Sequence, residues 1–184
     1  MKPRYLILFF TIVLLLAIAS CTEEEEEVYD ETPPVLSVTP VDISTVMFII
    51  AFGDDLTPDQ KNPCFEYIVN DAAVQVRASC AGIVDNIFLN DGFPDYEVWI
   101  RTSPNNMYYI EYDHVLNLAV TEGEEVTAGA VLGTVGTANR TELMVCVYYP
   151  DSLAYCPFDF ATEEFIQQHK SFTENWCLEE TVEP

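Results

Sequence analysis

The stretch Val120-Thr121-Glu122-Gly123-Glu124-Glu125-Val126-Thr127-Ala128-Gly129-Ala130-Val131-Leu132-Gly133-Thr134-Val135-Gly136 decides the fold. Apolar residues alternate with glycines in the pattern V-x-x-G-x-x-V-x-x-G-x-x-L-G, with glycines where tight turns or a close backbone approach are expected. An earlier phrase, Val76-Arg77-Ala78-Ser79-Cys80-Ala81-Gly82-Ile83-Val84, repeats the theme as V-x-A-x-x-x-G-x-V. Working outward, short β-type runs separated by turn signals fall at 46–50, 73–76, 83–84, 97–101, 107–112, 115–120, 131–135 and 143–149. Their period-two alternation and their content of β-branched and aromatic residues suit half-buried antiparallel strands.

Both phrases in this order resemble a barrel-sandwich hybrid, an architecture shared by biotin and lipoyl carriers, efflux adaptors and lysostaphin/LytM-type zinc endopeptidases. A carrier would need a lysine at a hairpin tip, and Lys2, Lys61 and Lys170 are not so placed; an adaptor would need a long helical hairpin, for which there is no room. Tyr112-Asp113-His114-Val115 resembles the Y-x-H-L segment of the LytM-type peptidases. Pro157 sits like the proline after their last core strand, and Gly53 like the glycine near their start. The resemblance spans about residues 51–160 and implies a mainly β barrel-sandwich hybrid, the LytM-type peptidase-like core, with a C-terminal helix added. Thr162 can cap that helix, and Phe165, Ile166, Phe172 and Trp176 supply its apolar face.

The resemblance also implies a zinc site built from H-x-x-x-D before the first phrase and from an H-x-H strand after the second. Zinc in such a site needs imidazole or carboxylate ligands and an open position for an activated water. Residues 63–71 contain no histidine, and neither does the strand 143–147. The chain's two histidines, His114 and His169, cannot rebuild three ligands. The expectation is therefore a degenerate, non-catalytic member without cofactor or metal. Glu66, Asp71 and Glu142 are carboxylates that could substitute, but an all-carboxylate site favours harder cations. His114, with Tyr112 and Asp113, marks the groove, where the residue is either a ligand contact or a structural histidine bonded to backbone. A Cys–His pair of Cys80 with His114 is disfavoured, because Cys80 reads as buried or disulfide-bonded. Tyr96, Trp99, Tyr108, Tyr109, Tyr112, Tyr148 and Tyr149 are a pool from which a groove could be lined, half of them being expected in the core.

The N-terminus reads as an export signal. Lys2 and Arg4 precede an apolar run at 6–18, and Ile18-Ala19-Ser20-Cys21 matches a lipobox. The run is shorter than the ~20 residues a spanning helix needs. The expected organisation is a signal peptide at 1–20 and a palmitate-type lipid anchor on Cys21 with a disordered acidic and proline-rich tether at 21–41. The β domain then covers 42–160, the helix 161–177 and a frayed acidic tail 178–184. Thr22-Glu23-Glu24-Glu25-Glu26-Glu27 resembles the surface-export signal of some Gram-negative lipoproteins, so an outer-membrane, surface-exposed location is expected. Cleavage leaves five basic residues against 31 acidic ones, a formal charge of −26, which argues against nucleic acid and anionic headgroups. The lipid bilayer is then one partner, and peptidoglycan, a glycan or an envelope protein the other; an active metal-dependent endopeptidase and a ligandless structural spacer are the alternatives. Of the five cysteines after Cys21, Cys146 and Cys156 flank a turn at Pro150-Asp151-Ser152 and are the expected disulfide, leaving an odd thiol. Lipidation predicts a mature chain that starts at an acylated Cys21, with Cys21→Ala releasing the protein from membrane fractions; an intact Met1 in the mass spectrum would overturn it.

Overall fold

The computed structural model describes residues 29–148 and 151–184. The expected signal peptide, Cys21, the acidic run and the Tyr149–Pro150 pair lie outside the described residues. Thirteen strands form in chain order among the described residues: β1 (Val46–Ile50), β2 (Asp55–Thr57), β3 (Gln60–Lys61), β4 (Phe65–Val69), β5 (Gln75–Arg77), β6 (Gly82–Leu89), β7 (Tyr96–Arg101), β8 (Tyr108–Leu116), β9 (Glu125–Val126), β10 (Val131–Val135), β11 (Arg140–Val147), β12 (Leu153–Tyr155) and β13 (Thr181–Val182). One α-helix among the described residues, α1 (Glu163–Lys170), follows β12.

Every strand pair is antiparallel, and the main sheet runs β1-β4-β11-β8-β7-β6-β9, with β10 bridging β5 and the end of β8. The sheet is open. It does not close into a barrel, because β1 and β9 end the path without meeting each other; the mainly β character stands, and the closed barrel does not. Gly123 and Gly129 sit at turns with φ of +82° and +86°, a region that L side chains rarely adopt.

The central strands are two-faced. Phe65, Tyr67 and Val69 of β4, Val98 and Ile100 of β7, Ile110 and Tyr112 of β8, and Leu143 and Val145 of β11 are buried in one core. Their alternating neighbours Glu66, Glu97, Trp99, Glu111, Asp113, Glu142 and Met144 fall on the opposite face, and the register Glu66↔Glu142↔Asp113 sets three carboxylates in a row across it.

The C-terminal segment covers the core side of β4. Thr162 caps α1 as expected, its Oγ1 accepting from the Phe165 amide at 3.3 Å. The helix stops at Lys170 rather than 177, because the chain must turn back to place Trp176 against Phe65 and Tyr67, with ring centroids 4.9 and 5.6 Å apart. Burial of a ring of this size contributes roughly 1.5–3 kcal/mol, more than the lost helical turns would. The next residue, Cys177, is bonded to Cys156, their Cα atoms 5.9 Å apart. The expected Cys146–Cys156 pair is corrected by strand register: Cys146 faces Ala154, two residues short of Cys156, and its buried thiol is free. The tail is not frayed, since β13 pairs with β12. The supposed tether is part of the fold from Asp30 onward, with Leu36 and Val41 fully buried and Leu36 exchanging backbone hydrogen bonds with Phe160 and Thr162.

His169 is a satisfied core histidine. Its Nδ1–H donates to the Phe165 carbonyl at 2.8 Å and its Nε2 accepts from the Tyr67 hydroxyl at 2.8 Å. Burial lowers its pKa from 6.5 to about 4 despite the Phe165 carbonyl, which favours the charged form. Between those values the unfolded chain binds the extra proton, so this contribution is complete above pH 6.5 and is lost as pH falls towards 4. Urea unfolding at pH 7 and pH 4.5 should differ by up to about 3 kcal/mol from this group, and the difference should shrink by that amount in His169→Gln; an unchanged difference would refute the assignment.

Candidate functional site

The open face of β4, β8 and β11 carries the site. His114 stands at the end of β8 with φ of +54°, a conformation uncommon for a side-chain-bearing residue. That turn breaks the strand alternation and brings the imidazole to the same side as Asp113. The ring is buried and held from two sides. Its Nδ1 donates to Asp95 Oδ1 at 3.1 Å, and its Nε2 accepts from Arg140 Nη2. The partners fix the neutral Nδ1–H tautomer, whose Nε2 lone pair points at the guanidinium. The Phe93 ring stands edge-on to it at 5.5 Å.

Asp95 is fully buried just before β7. Burial pushes its carboxyl up, but Asn90, the Thr137 amide and His114 together outweigh that and hold it at about 2. Gly136 is required beside it: a Cβ there would lie 2.6 Å from Asp95 Oδ2 and 2.7 Å from the His114 carbonyl.

Arg140 occupies the centre. Its guanidinium contacts His114, lies 3.3 Å from Glu66 Oε1, and its Nε is 3.8 Å from Glu142 Oε1. Asp113 Oδ2 and Glu142 Oε1 are 3.5 and 3.6 Å from His114 Nε2. Burial, then the like charges of Asp113 and Glu66, raise the Glu142 pKa, while the Cys64 thiol donates to Glu142 Oε2 at 3.3 Å. Cys64 is no nucleophile, since burial and then Glu142 push its own pKa well up. Cys80 is likewise a buried free thiol, pushed to about 12 by burial.

Of the groove residues expected from sequence, His114 and Asp113 come together and Tyr112 does not. Tyr112 points into the core, where its hydroxyl accepts from the Ser79 amide at 2.6 Å, as strand alternation requires. The reading of His114 as a histidine bonded to backbone is corrected in its partners, since the ring is held by the side chains of Asp95 and Arg140. Glu66 and Glu142 are in the site; Asp71 is exposed, its carboxylate accepting from the Ala73 amide away from the cluster. Asp95 and Arg140 were missed. Arg140 carried a usable signal, as one of seven cations in a chain of 31 acids and two residues before Glu142 on the same strand face. Asp95 carried none.

The geometry defines the class first: an antiparallel peptidase-like β domain whose polar site lies on the open sheet face. Residues 67–151 match Peptidase family M23, and the fold is similar to that of lysostaphin/LytM-like domains. The fold is similar to that of Csd3 from Helicobacter pylori, with a TM-score of 0.51 at 19% identity over 77% of this chain and 38% of Csd3. Lysostaphin in solution gives 0.51 at 16% over 62% of this chain and 51% of its own. A chain of the SpoIIQ–SpoIIIAH pore-forming complex gives 0.54 at 15% over 72% and 94%. The chain thus spans well under two thirds of Csd3 and of lysostaphin. None of the curated proteins matches it in sequence.

The residues present do not fit the family's zinc. Asn62 and Glu66 have the H-x-x-x-D spacing, but Asn62 is spent as a buried staple, its Nδ2 donating to the Ile50, Ala51 and Cys64 carbonyls at 2.9–3.2 Å. Glu142 and Met144 have the H-x-H spacing and supply no imidazole. Asp113, His114 and Glu142 do converge, with ligand atoms within 4.8 Å of one another, yet the one imidazole lone pair is engaged by Arg140. Arg140→Met should therefore cost about 1–3 kcal/mol in urea unfolding, because it strands Glu66 and Glu142 together. The double variant Arg140→Met/Glu142→Gln should recover part of that loss; a single variant as stable as the parent would show the guanidinium to be a bystander.

Proposed function

We propose that this chain is a non-catalytic surface or outer-membrane lipoprotein whose M23-type domain binds a cell-wall fragment or an envelope protein instead of cutting it. The observation that carries the reading is the Arg140 guanidinium at the centre of Glu66, Glu142 and His114. A tethered cation there neutralises the carboxylates without offering a Lewis acid or an open coordination position, both of which hydrolysis by this family's chemistry requires.

A binding role draws support from the rest of the open face. Trp99 stacks on Tyr148 at 5.1 Å and 12°, and meets Tyr109 and Phe88 edge-on at 5.1 Å each. These rings are only partly buried and form a platform beside the Arg140 cluster, suited to the face of a sugar or an apolar peptide side chain. Tyr109 is also capped by the Arg101 guanidinium at 4.9 Å. Protein assembly by a related fold has a parallel in the SpoIIQ–SpoIIIAH complex.

The convergence of Asp113, His114 and Glu142 favours a second reading, a metal-dependent endopeptidase with atypical ligands. Metal analysis and a cell-wall digestion assay separate the two. The purified chain should hold zinc well below one equivalent, release no peptides from peptidoglycan, and co-sediment with sacculi or with solubilised envelope proteins less well after Trp99→Ala. Zinc near one equivalent, with digestion lost in His114→Ala, would establish the enzyme instead.

A further inference from the structure

Away from the Arg140 cluster, a cleft of about 560 Å³ opens between α1 and the segment leading into β1. Arg77, the last residue of β5, lines it. Among the described residues Lys61, Arg101, Arg140 and Lys170 each have a carboxylate within ion-pair distance, and Arg77 has none. Its Nε is buried without a hydrogen-bond partner, and its guanidinium donates to no other described residue. In a chain with 31 acidic residues, a guanidinium with open donors in a concave site is the exception, Asp42 across the cleft being the acid that feels its charge.

We infer that this cleft is a binding site for a small hydroxylated carboxylic acid carrying one negative charge, an acidic sugar being the class it fits. The guanidinium supplies a planar fork of donors, the geometry that matches a carboxylate in two parallel hydrogen bonds. The walls supply acceptors for hydroxyl groups. Ser44 Oγ donates its proton to Asp42 at 2.7 Å and Ser171 Oγ donates to the Gln168 carbonyl at 2.6 Å, so both oxygens face a ligand as acceptors. Ile43, Val46 and Phe172 give the apolar surface against which a sugar ring's C–H face packs. The size falls within the range of small-molecule sites.

The charge of the ligand follows from what else borders the cleft. The Asp42 carboxylate shares it, kept ionised by its hydrogen bonds from the Ser44 hydroxyl and amide. The C-terminal end of α1, with its partial negative charge, also points there through Gln168 and Ser171. These groups offset much of the guanidinium's charge, so recognition rests on its paired hydrogen bonds to one carboxylate, and a doubly charged phosphate meets the greater repulsion from both.

The test uses the full chain and D-glucuronate, D-glucose and inorganic phosphate as probes, followed by amide chemical shifts and calorimetry. Glucuronate should bind with millimolar affinity and shift the amides of Ser44, Arg77 and Ser171, while glucose leaves them unmoved and phosphate binds roughly ten-fold more weakly or worse. Arg77→Gln should weaken glucuronate by roughly ten-fold or more. Ser171→Trp, at an exposed position that tolerates substitution, should block the cleft by bulk with the fold intact by circular dichroism. Equal responses to glucose and glucuronate, phosphate binding as tight as glucuronate, no glucuronate binding up to about 50 mM, or binding indifferent to both variants would each overturn the assignment.

Discussion

The register between β8 and β11 is the constraint on which the rest of the molecule depends. Leu143 opposite Tyr112, with Val145 opposite Ile110, commits one side of both strands to the core, and period two then commits Glu142, Met144, Asp113 and Glu111 to the other. A slip by one residue would exchange the two sets and bury the carboxylates of Glu142 and Asp113. Because a charged carboxylate in the core costs several kcal/mol without a partner, the pairing has one acceptable register. The apolar core thus specifies where the polar site lies.

That placement creates an electrostatic difficulty which Arg140 resolves. Glu66, Asp113 and Glu142 meet on adjacent strands with Asp95 behind His114, and the like charges of Asp113 and Glu66 add to burial in raising the Glu142 pKa. Relatives that bind a divalent cation balance their ligands with an ion from solution. Here the balancing charge is covalently part of β11, two residues from Glu142 on the same face, so it arrives with the fold and at no cost in binding entropy. The same solution recurs along the sheet, where the Arg101 guanidinium lies 2.5 Å from Asp85. Glu111, which lacks a cation, takes the other route: burial, then the neighbouring Glu97, raise its pKa to about 9, against the Cys146 and Tyr148 donors that favour its ionised form. It therefore stays protonated at neutral pH.

The fold was legible in the sequence because it rests on local signals, and so was the lack of the histidines that the resemblance would call for. Gly123 and Gly129 announced turns through backbone freedom, Val131 to Val135 announced a strand by alternation, and a histidine that is not in the chain cannot be supplied by folding. What was illegible depends on pairing. Cys156 bonds Cys177 and not Cys146 because of a two-residue offset between β11 and β12, which no spacing of cysteines reveals. Leu36 and Val41 read as linker among prolines, but an extended segment buries apolar side chains as readily as a strand when a sheet edge and α1 accept it. Trp176 followed the helical period on paper, yet packing against Phe65 decided its place. His114 is the middle case. Its presence was legible, and its positive φ, which turns the ring towards Arg140, was not.

The scarcity of cations gives the structure its functional bias. Of the five basic residues after Arg4, Lys61, Arg101, Arg140 and Lys170 are matched by this chain's own carboxylates, so the remaining acidic residues present an almost uniformly negative exterior. Such a surface repels polyanions at long range and keeps copies apart. At physiological ionic strength that repulsion decays over about 8 Å, which leaves recognition to contact chemistry once a partner has arrived. The groups available for contact on the open face are then aromatic and not cationic: Trp99 and Tyr148 stacked in parallel, with Tyr109 and Phe88 at their edges. Held rigid by the same strands that fix the core register, these rings lose little conformational entropy on binding, the condition under which a modest apolar platform yields useful affinity.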